Sequence, residues 1–178
     1  MQRRKLKNSE LGRLEPSEFK ASDKSPIIVV LDNIRSLNNI GSIFRTSDGL
    51  RVQKIYLCGI TATPPHRDIH KTALGATESV DWEYVEDTVS VIERLQAEGV
   101  HCAALEQAEN SIMLQEFPKM NQPVAIVLGN EVKGVQQEVI DSCDSCIEIP
   151  QFGTKHSFNV SVSAGICLWD LYWKTAKQ

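Results

Sequence analysis

Ile147-Glu148-Ile149-Pro150-Gln151-Phe152-Gly153-Thr154-Lys155-His156-Ser157-Phe158-Asn159-Val160-Ser161-Val162-Ser163-Ala164-Gly165-Ile166 is the stretch on which the fold turns. It opens as a short apolar strand and is stopped by proline. A polar, glycine-containing loop follows, and Ser157 is placed to cap a final helix. A strand, a ligand-sized loop and a helix N-terminus in one run make an arrangement that holds a polar ligand.

Upstream of it the chain alternates between strand and helix signals. Ile27 to Leu31, Lys54 to Cys58, Trp82 to Val85, Val100 to Leu105, Pro123 to Leu128 and Cys146 to Ile149 are runs of strand length, mostly apolar, with the third alternating. Between them, Ile40 to Leu50, a short segment around His70 to Leu74, Thr88 to Ala97 and Gln136 to Asp141 predict helices, and Phe158 to Trp173 predicts the closing one. Strands separated by helices specify an α/β fold: a mostly parallel sheet with helices on both faces. In such sheets the ligand lies beyond the carboxyl ends of the strands. The loops after the first, fourth, fifth and sixth runs are therefore where chemistry is expected.

A chain of 178 residues, 42% of them apolar, is long enough for one domain with its own core. Residues 26–178 are expected to form it. Residues 1–25 form a polar, basic arm in which Ser9 and Ser17 are candidate helix caps, and its tip either touches phosphates or is simply solvated. No apolar run reaches the roughly eighteen residues of a membrane span, and no hydrophobic stretch follows the basic N-terminus, so neither an anchor nor a secretory signal is expected. Five scattered cysteines fit reduced thiols and a cytoplasmic location better than a disulfide frame. Cys143 and Cys146 have redox or zinc spacing, but no second pair accompanies them; packing cysteines, and no metal, are expected. The net charge of −4 argues against wholesale coating of nucleic acid and leaves room for a local basic face.

Several familiar motifs fail. Asp32-Asn33-Ile34 after the first strand is not a dinucleotide-binding turn. Gly129 to Gly134 has P-loop glycine spacing, yet Val135-Gln136 stands where Lys-Ser or Lys-Thr is required. No nucleophile elbow surrounds Ser157, which excludes the common serine hydrolases.

Three clusters survive. In Asn38-Asn39-Ile40-Gly41-Ser42-Ile43-Phe44-Arg45, Asn39 is a candidate N-cap and Arg45 a fixed positive charge for a phosphate or carboxylate. In Leu128-Gly129-Asn130-Glu131-Val132-Lys133-Gly134, glycine after a buried strand allows a ligand close to the backbone, and Glu131 adds a carboxylate. In the opening stretch, Ser157 and Asn159 offer hydrogen bonds beside a helix N-terminus. Each cluster taken singly is also ordinary α/β punctuation.

Together they resemble the three motifs of the SpoU (TrmH-type) RNA 2′-O-ribose methyltransferases of the SPOUT superfamily. Asn39-x-Gly41-x-x-x-Arg45 is similar to the first motif and Leu128-Gly129-Asn130-Glu131-x-x-Gly134 to the second. Ile149-Pro150-x-x-Gly153-x-x-x-Ser157-Phe158-Asn159-Val160-Ser161 is similar to the third. All three stand in order across residues 26–174. Phe158 departs from the commoner leucine or methionine, and only the short arm stands where some members carry a large RNA-binding domain.

The resemblance implies a C-terminal deep trefoil knot, which general rules of chain threading would exclude. It implies S-adenosylmethionine as cofactor, held by Leu105, Glu106, Leu128, Gly129, Ile149 and Phe158, and a homodimer whose partner subunit's Arg45 completes the site. Arg45 is the family's catalytic arginine. Asn39 and Ser157 orient it or the ribose, Glu131 fixes the second motif through Asn39, and Asn159 holds the loop. Arg35, His66, Arg67, Lys71 and Lys155, with the arm, are the expected RNA phosphate contacts. The activity implied is methyl transfer to a ribose 2′-hydroxyl of tRNA or rRNA, with a slight leaning to tRNA. A non-catalytic RNA- or ribosome-binding module on the same fold is the alternative, and base methylation is a third possibility that the Ser-x-Asn motif disfavours.

Overall fold

The computed structural model describes residues 3–175; Met1 and Gln2 of the basic tip and residues 176–178 of the expected domain lie outside the described residues. The described residues contain seven strands: β1 (Ser25–Asp32), β2 (Val52–Cys58), β3 (Trp82–Val85), β4 (His101–Leu105), β5 (Ile112–Met113), β6 (Val124–Leu128) and β7 (Ser145–Glu148). They form one sheet in the order β3-β2-β1-β6-β4-β7-β5, and every pairing is parallel. The chain works outward through β2 and β3 and jumps to β4. It then returns with β6 to fill the centre between β1 and β4.

Seven α-helices accompany the sheet: α1 (Pro16–Ala21), α2 (Leu37–Gly49), α3 (Arg67–Ala73), α4 (Ala76–Ser79), α5 (Thr88–Ala97), α6 (Gln137–Ser142) and α7 (Val160–Thr175). Because side chains alternate along a strand, β1 feeds two cores. Ile27, Val29 and Leu31 pack with Ile40, Phe44, Leu168 and Leu171 of α2 and α7. Ile28 and Val30 pack with Val91, Ile92, Leu95 and Val139 of α5 and α6. Burial on both faces explains why the central strands are continuous apolar runs rather than alternating ones.

The expected α/β architecture is present, and the differences are local. β5 was not expected: two residues carry no periodicity, and it exists only because β7 offers Ile112 and Met113 an edge. Helix α2 begins at Leu37, with Ser36 as its N-cap, because the Ser36 hydroxyl accepts the Asn39 backbone N–H at 3.3 Å. Asn39 is thus inside the first turn and is not the cap. Ser157 does not cap α7 either. Asn159 does, its Oδ1 accepting the Ser161 N–H at 2.9 Å. Strand β7 ends at Glu148, so Ile149 belongs to the loop.

In the arm, Ser9 falls within a 3-10 turn (Asn8–Glu10) and Ser17 within α1, whose N-cap is Glu15. Phe19 of α1 is 6% exposed and joins the first core. All five cysteines are free. Burial, the largest influence on each, pushes the Cys58, Cys102, Cys143 and Cys167 thiols up to about 12, where they are inert. Among the described residues, no helix is long and apolar enough to cross a membrane.

Helices α2 and α3 meet at Gly41. A Cβ there would lie 2.1 Å from Thr72 Oγ1 and 2.3 Å from the Ile69 carbonyl oxygen. The threonine hydroxyl can rotate away; the backbone oxygen cannot. Gly41→Ala is therefore expected to destabilise the fold by about 1–3 kcal/mol through overpacking, read as a lower urea midpoint at unchanged m-value.

Candidate functional site

The carboxyl ends of β4, β6 and β7 surround a cavity of about 680 Å³, within the size range of small-molecule sites. It is lined by Leu105 and Glu106 after β4, Leu128, Gly129 and Glu131 after β6, and Ile149 with Ser157, Phe158 and Asn159 after β7. Residues from three separate loops, more than forty apart in sequence at the extremes, thus share one wall. Apolar Leu105, Leu128, Ile149 and Phe158 give it faces against which a flat ring can pack. The polar edge comes from the loops.

The loop after β6 folds back on itself. Asn130 N–H donates to the Gly134 carbonyl at 3.0 Å, and Gly134 N–H returns to the Asn130 carbonyl at 2.8 Å. The Asn130 side chain accepts from Val132 N–H (2.9 Å) and Lys133 N–H (3.1 Å), and donates to the Asn33 carbonyl at 2.7 Å. A Cβ on Gly129 would sit 2.1 Å from the Val135 nitrogen. Gly129 is needed for the chain's own return, and it also lines the cavity, where a ligand approach was expected.

Glu106 serves the same turn. Its carboxylate accepts from Val135 N–H at 3.0 Å and Gln107 N–H at 2.8 Å, and it lies against Gly134, whose φ is +71°. Both of its oxygens are thereby engaged. The third wall is tied down by Gln107, whose amide donates to the His156 carbonyl at 2.7 Å. Gln107 and His156 line the cavity and were missed from sequence, because their bond spans two loops and His156 fills an unspecified position of the third motif.

Beside the cavity the three motifs are joined by one chain of hydrogen bonds. The Glu131 carboxylate accepts from Arg35 N–H (3.0 Å), Ser36 N–H (2.9 Å) and Asn39 Nδ2 (2.9 Å). Asn39 Oδ1 in turn accepts from Asn159 Nδ2 at 3.1 Å. Burial opposes the charge on Glu131, but the donors from Arg35, Asn39 and Ser36 outweigh it and hold the carboxyl below its ordinary value of 4.5. The Asn side chains are oriented by this network. With Nδ2 given to Glu131, the Asn39 carbonyl oxygen is left to receive Asn159.

Not every expected residue converges. Arg45 is exposed on α2, one turn beyond Gly41, away from the cavity wall, and has no hydrogen bond or ion pair among the described residues. Arg35 and Lys155 are exposed on loops near the cavity mouth. His66, Arg67 and Lys71 are exposed on and before α3, and the first two line a different cavity. The expected phosphate contacts therefore form two groups and not one patch.

The sequence profile described as the SpoU rRNA Methylase family matches residues 26–169. A 23S rRNA (guanosine-2′-O-)-methyltransferase of Vibrio parahaemolyticus is 29% identical over 161 residues, spanning 90% of this chain. The chain covers 64% of that relative's length. The crystal structure of an A. aeolicus TrmH/SpoU tRNA modifying enzyme superposes with a TM-score of 0.78 at 26% identity, over 89% of this chain and 79% of the other. The AdoMet-bound rRNA methyltransferase from Sinorhizobium meliloti shares the fold with a TM-score of 0.79 at 23% identity, over 89% of this chain and 61% of the other.

Glu131→Gln leaves one acceptor oxygen where two now serve three donors. Discounted for partial exposure, the cost is expected to be about 1 kcal/mol at neutral pH. Because the folded carboxyl titrates below 4.5, this contribution is present above that value and fades as pH falls through the lowered folded one. Urea melts of both proteins at neutral and acid pH should show the gap closing on acidification.

Proposed function

The chain belongs to the SpoU rRNA Methylase family, and we propose that it transfers a methyl group from S-adenosylmethionine to a ribose 2′-hydroxyl of tRNA or rRNA. One observation carries this: Glu131, Asn39 and Asn159, one from each motif, are hydrogen-bonded in series beside a ligand-sized cavity. The names of the Vibrio and A. aeolicus proteins, one an rRNA and one a tRNA enzyme, support RNA as substrate and leave both kinds open.

The cavity fits the cofactor. Its volume, its apolar faces at Leu105, Leu128, Ile149 and Phe158, and its position at strand carboxyl ends suit a purine with a polar tail. Gly129 and Glu106 would shape the pocket by fixing the 129–135 turn. When bound, S-adenosylmethionine supplies an electrophilic methyl group on a sulfonium sulfur. The protein's task is to place the ribose oxygen in line and to offset the charge that develops on it.

Arg45 is the group for that charge. As a fixed positive charge it grips the adjacent phosphate and stabilises the developing alkoxide, while the hydroxyl proton passes to solvent water. Asn39, held by Glu131 and Asn159, and Ser157 on the facing loop position the ribose. Arg35 and Lys155 add phosphate contacts at the cavity mouth, while His66, Arg67 and Lys71 meet the RNA farther along α3.

The proposal includes a homodimer, in which Arg45, absent from its own subunit's cavity lining, completes the partner's site. Helix α7 carries Val162, Ile166, Trp169 and Trp173 at helical spacing, exposed by 49%, 39%, 56% and 54%. Trp169 and Trp173 are stacked edge-on at 5.6 Å. This apolar stripe starts beside Asn159 and Ser163 at the cavity edge, so a second copy docked on it brings its own surface to the site. The deep C-terminal trefoil knot belongs to the same proposal. What supports it is the path from β7, near the sheet edge, past the 128–135 turn to α7, which packs against α2 and β1. Residues 26–178 would be the catalytic domain and 1–25 the RNA-facing arm. A cytoplasmic location is part of the same proposal, supported by the reduced thiols and the RNA substrate class.

Calorimetry with S-adenosylmethionine, followed by transfer of labelled methyl to RNA, tests the activity; cofactor binding without transfer would favour the non-catalytic module. Arg45→Ala should slow transfer by about a hundredfold or more with cofactor affinity retained, and normal turnover would remove Arg45 from the mechanism. Trp169→Asp should yield monomers by sedimentation and lose transfer with them.

A further inference from the structure

Apart from the cofactor cavity, a second one of about 520 Å³ opens at the β3 edge of the sheet, between α3, α4 and Trp82. Its walls are Pro64, Pro65, Ile69 and Trp82, whose indole is partly buried against the first core, and its rim carries His66, Arg67, His70 and Glu78. Arg67 and His70 are three apart on α3 and so share a face. His66 Nδ1 accepts the Asp68 N–H at 3.2 Å, which leaves Nε2 turned outward. Arg67 and its neighbour Lys71 have no carboxylate partner among the described residues.

We propose that this cavity receives an unpaired nucleobase of the RNA substrate, stacked on Trp82, with its phosphate held by Arg67. The proposal rests on the RNA reading above and adds a second, cofactor-independent anchor. The chemistry is that of single-strand recognition: an aromatic face for the base beside cations for the backbone. Arg67, unpaired at the rim among the described residues, complements phosphate, and Lys71 lies one turn farther along α3. The Glu78 carboxylate on the opposite side accepts from a base amino group or a ribose hydroxyl.

Placement agrees with this use. Helix α3 packs through Thr72 and Ile69 on Gly41 of α2, and Arg45 stands one turn beyond Gly41 on the same side of that helix. An RNA strand gripped at Trp82 therefore has the catalytic arginine one helix away. Duplex RNA cannot use the site, because its bases are already stacked and paired.

Binding of one labelled mixed-sequence oligoribonucleotide, single-stranded or as a blunt duplex, tests the pocket by fluorescence anisotropy. Trp82→Leu keeps apolar bulk but removes most of the stacking face. It should weaken single-strand binding about tenfold and leave duplex binding unchanged, and Trp82→Phe should restore most of the loss. Thr77→Phe, which fills the cavity from the surface of α4, should reproduce the loss without touching the core. Arg67→Ala should weaken single-strand binding and flatten its salt dependence. Single-strand binding indifferent to both Trp82→Leu and Thr77→Phe, with S-adenosylmethionine affinity and melting temperature retained, would overturn the pocket alone. A wild-type chain that binds the cofactor but neither form of RNA would sink the RNA reading itself.

Discussion

The carboxylate of Glu131 is the interaction on which the site depends. It stands after β6 and accepts from two backbone N–H groups that precede α2 and from the Asn39 side chain. These donors belong to a turn ninety-odd residues earlier in the chain. Without an acceptor they would be left unpaired beside a buried strand end. One charged group thus sets where α2 begins and which way Asn39 points, and through Asn39 it sets where the last loop is held. The network is structural, and the loops it ties are the cavity's walls.

A similar economy governs the backbone. Gly129 and Gly41 both lack a side chain because another segment's backbone occupies the space, the returning turn in one case and α3 in the other. In such parallel sheets, sites form at strand carboxyl ends because consecutive loops converge there. Here convergence is tightened by Asp32, fully buried at the end of β1, which accepts from Thr88 Oγ1 at 2.7 Å and from Gln136 N–H at 3.0 Å. The starts of α5 and α6, which lie on one face of the sheet, are thereby anchored to one strand end.

Much of this was legible from residues. Five of the six longer strands were mostly apolar runs and β3 an alternating one, and periodicity in Thr88–Ala97 and at the C-terminus located the helices. Caps were misjudged by two or three residues, as with Asn39 and Ser157. Several polar residues in each turn have the chemistry of a cap, and only the local path selects one. β5 has no signal of its own, being a strand only through its neighbour. The six apolar and acidic residues expected around a ligand do line one cavity, while Gln107 and His156 were invisible because their bond spans two loops.

Sequence by itself determined the α/β class, the buried strands, the three motifs and the loops in which a site had to lie, because periodicity and turn chemistry are local properties. Tertiary structure alone decided three things: the insertion of β6 between β1 and β4, the partners of Glu131 and Asn39, and the separation of Arg45 from the cavity wall. Each is a relation between segments distant along the chain. Pairing order, hydrogen-bond geometry and the bearing of one helix on another come into being only when the two cores pack around the sheet.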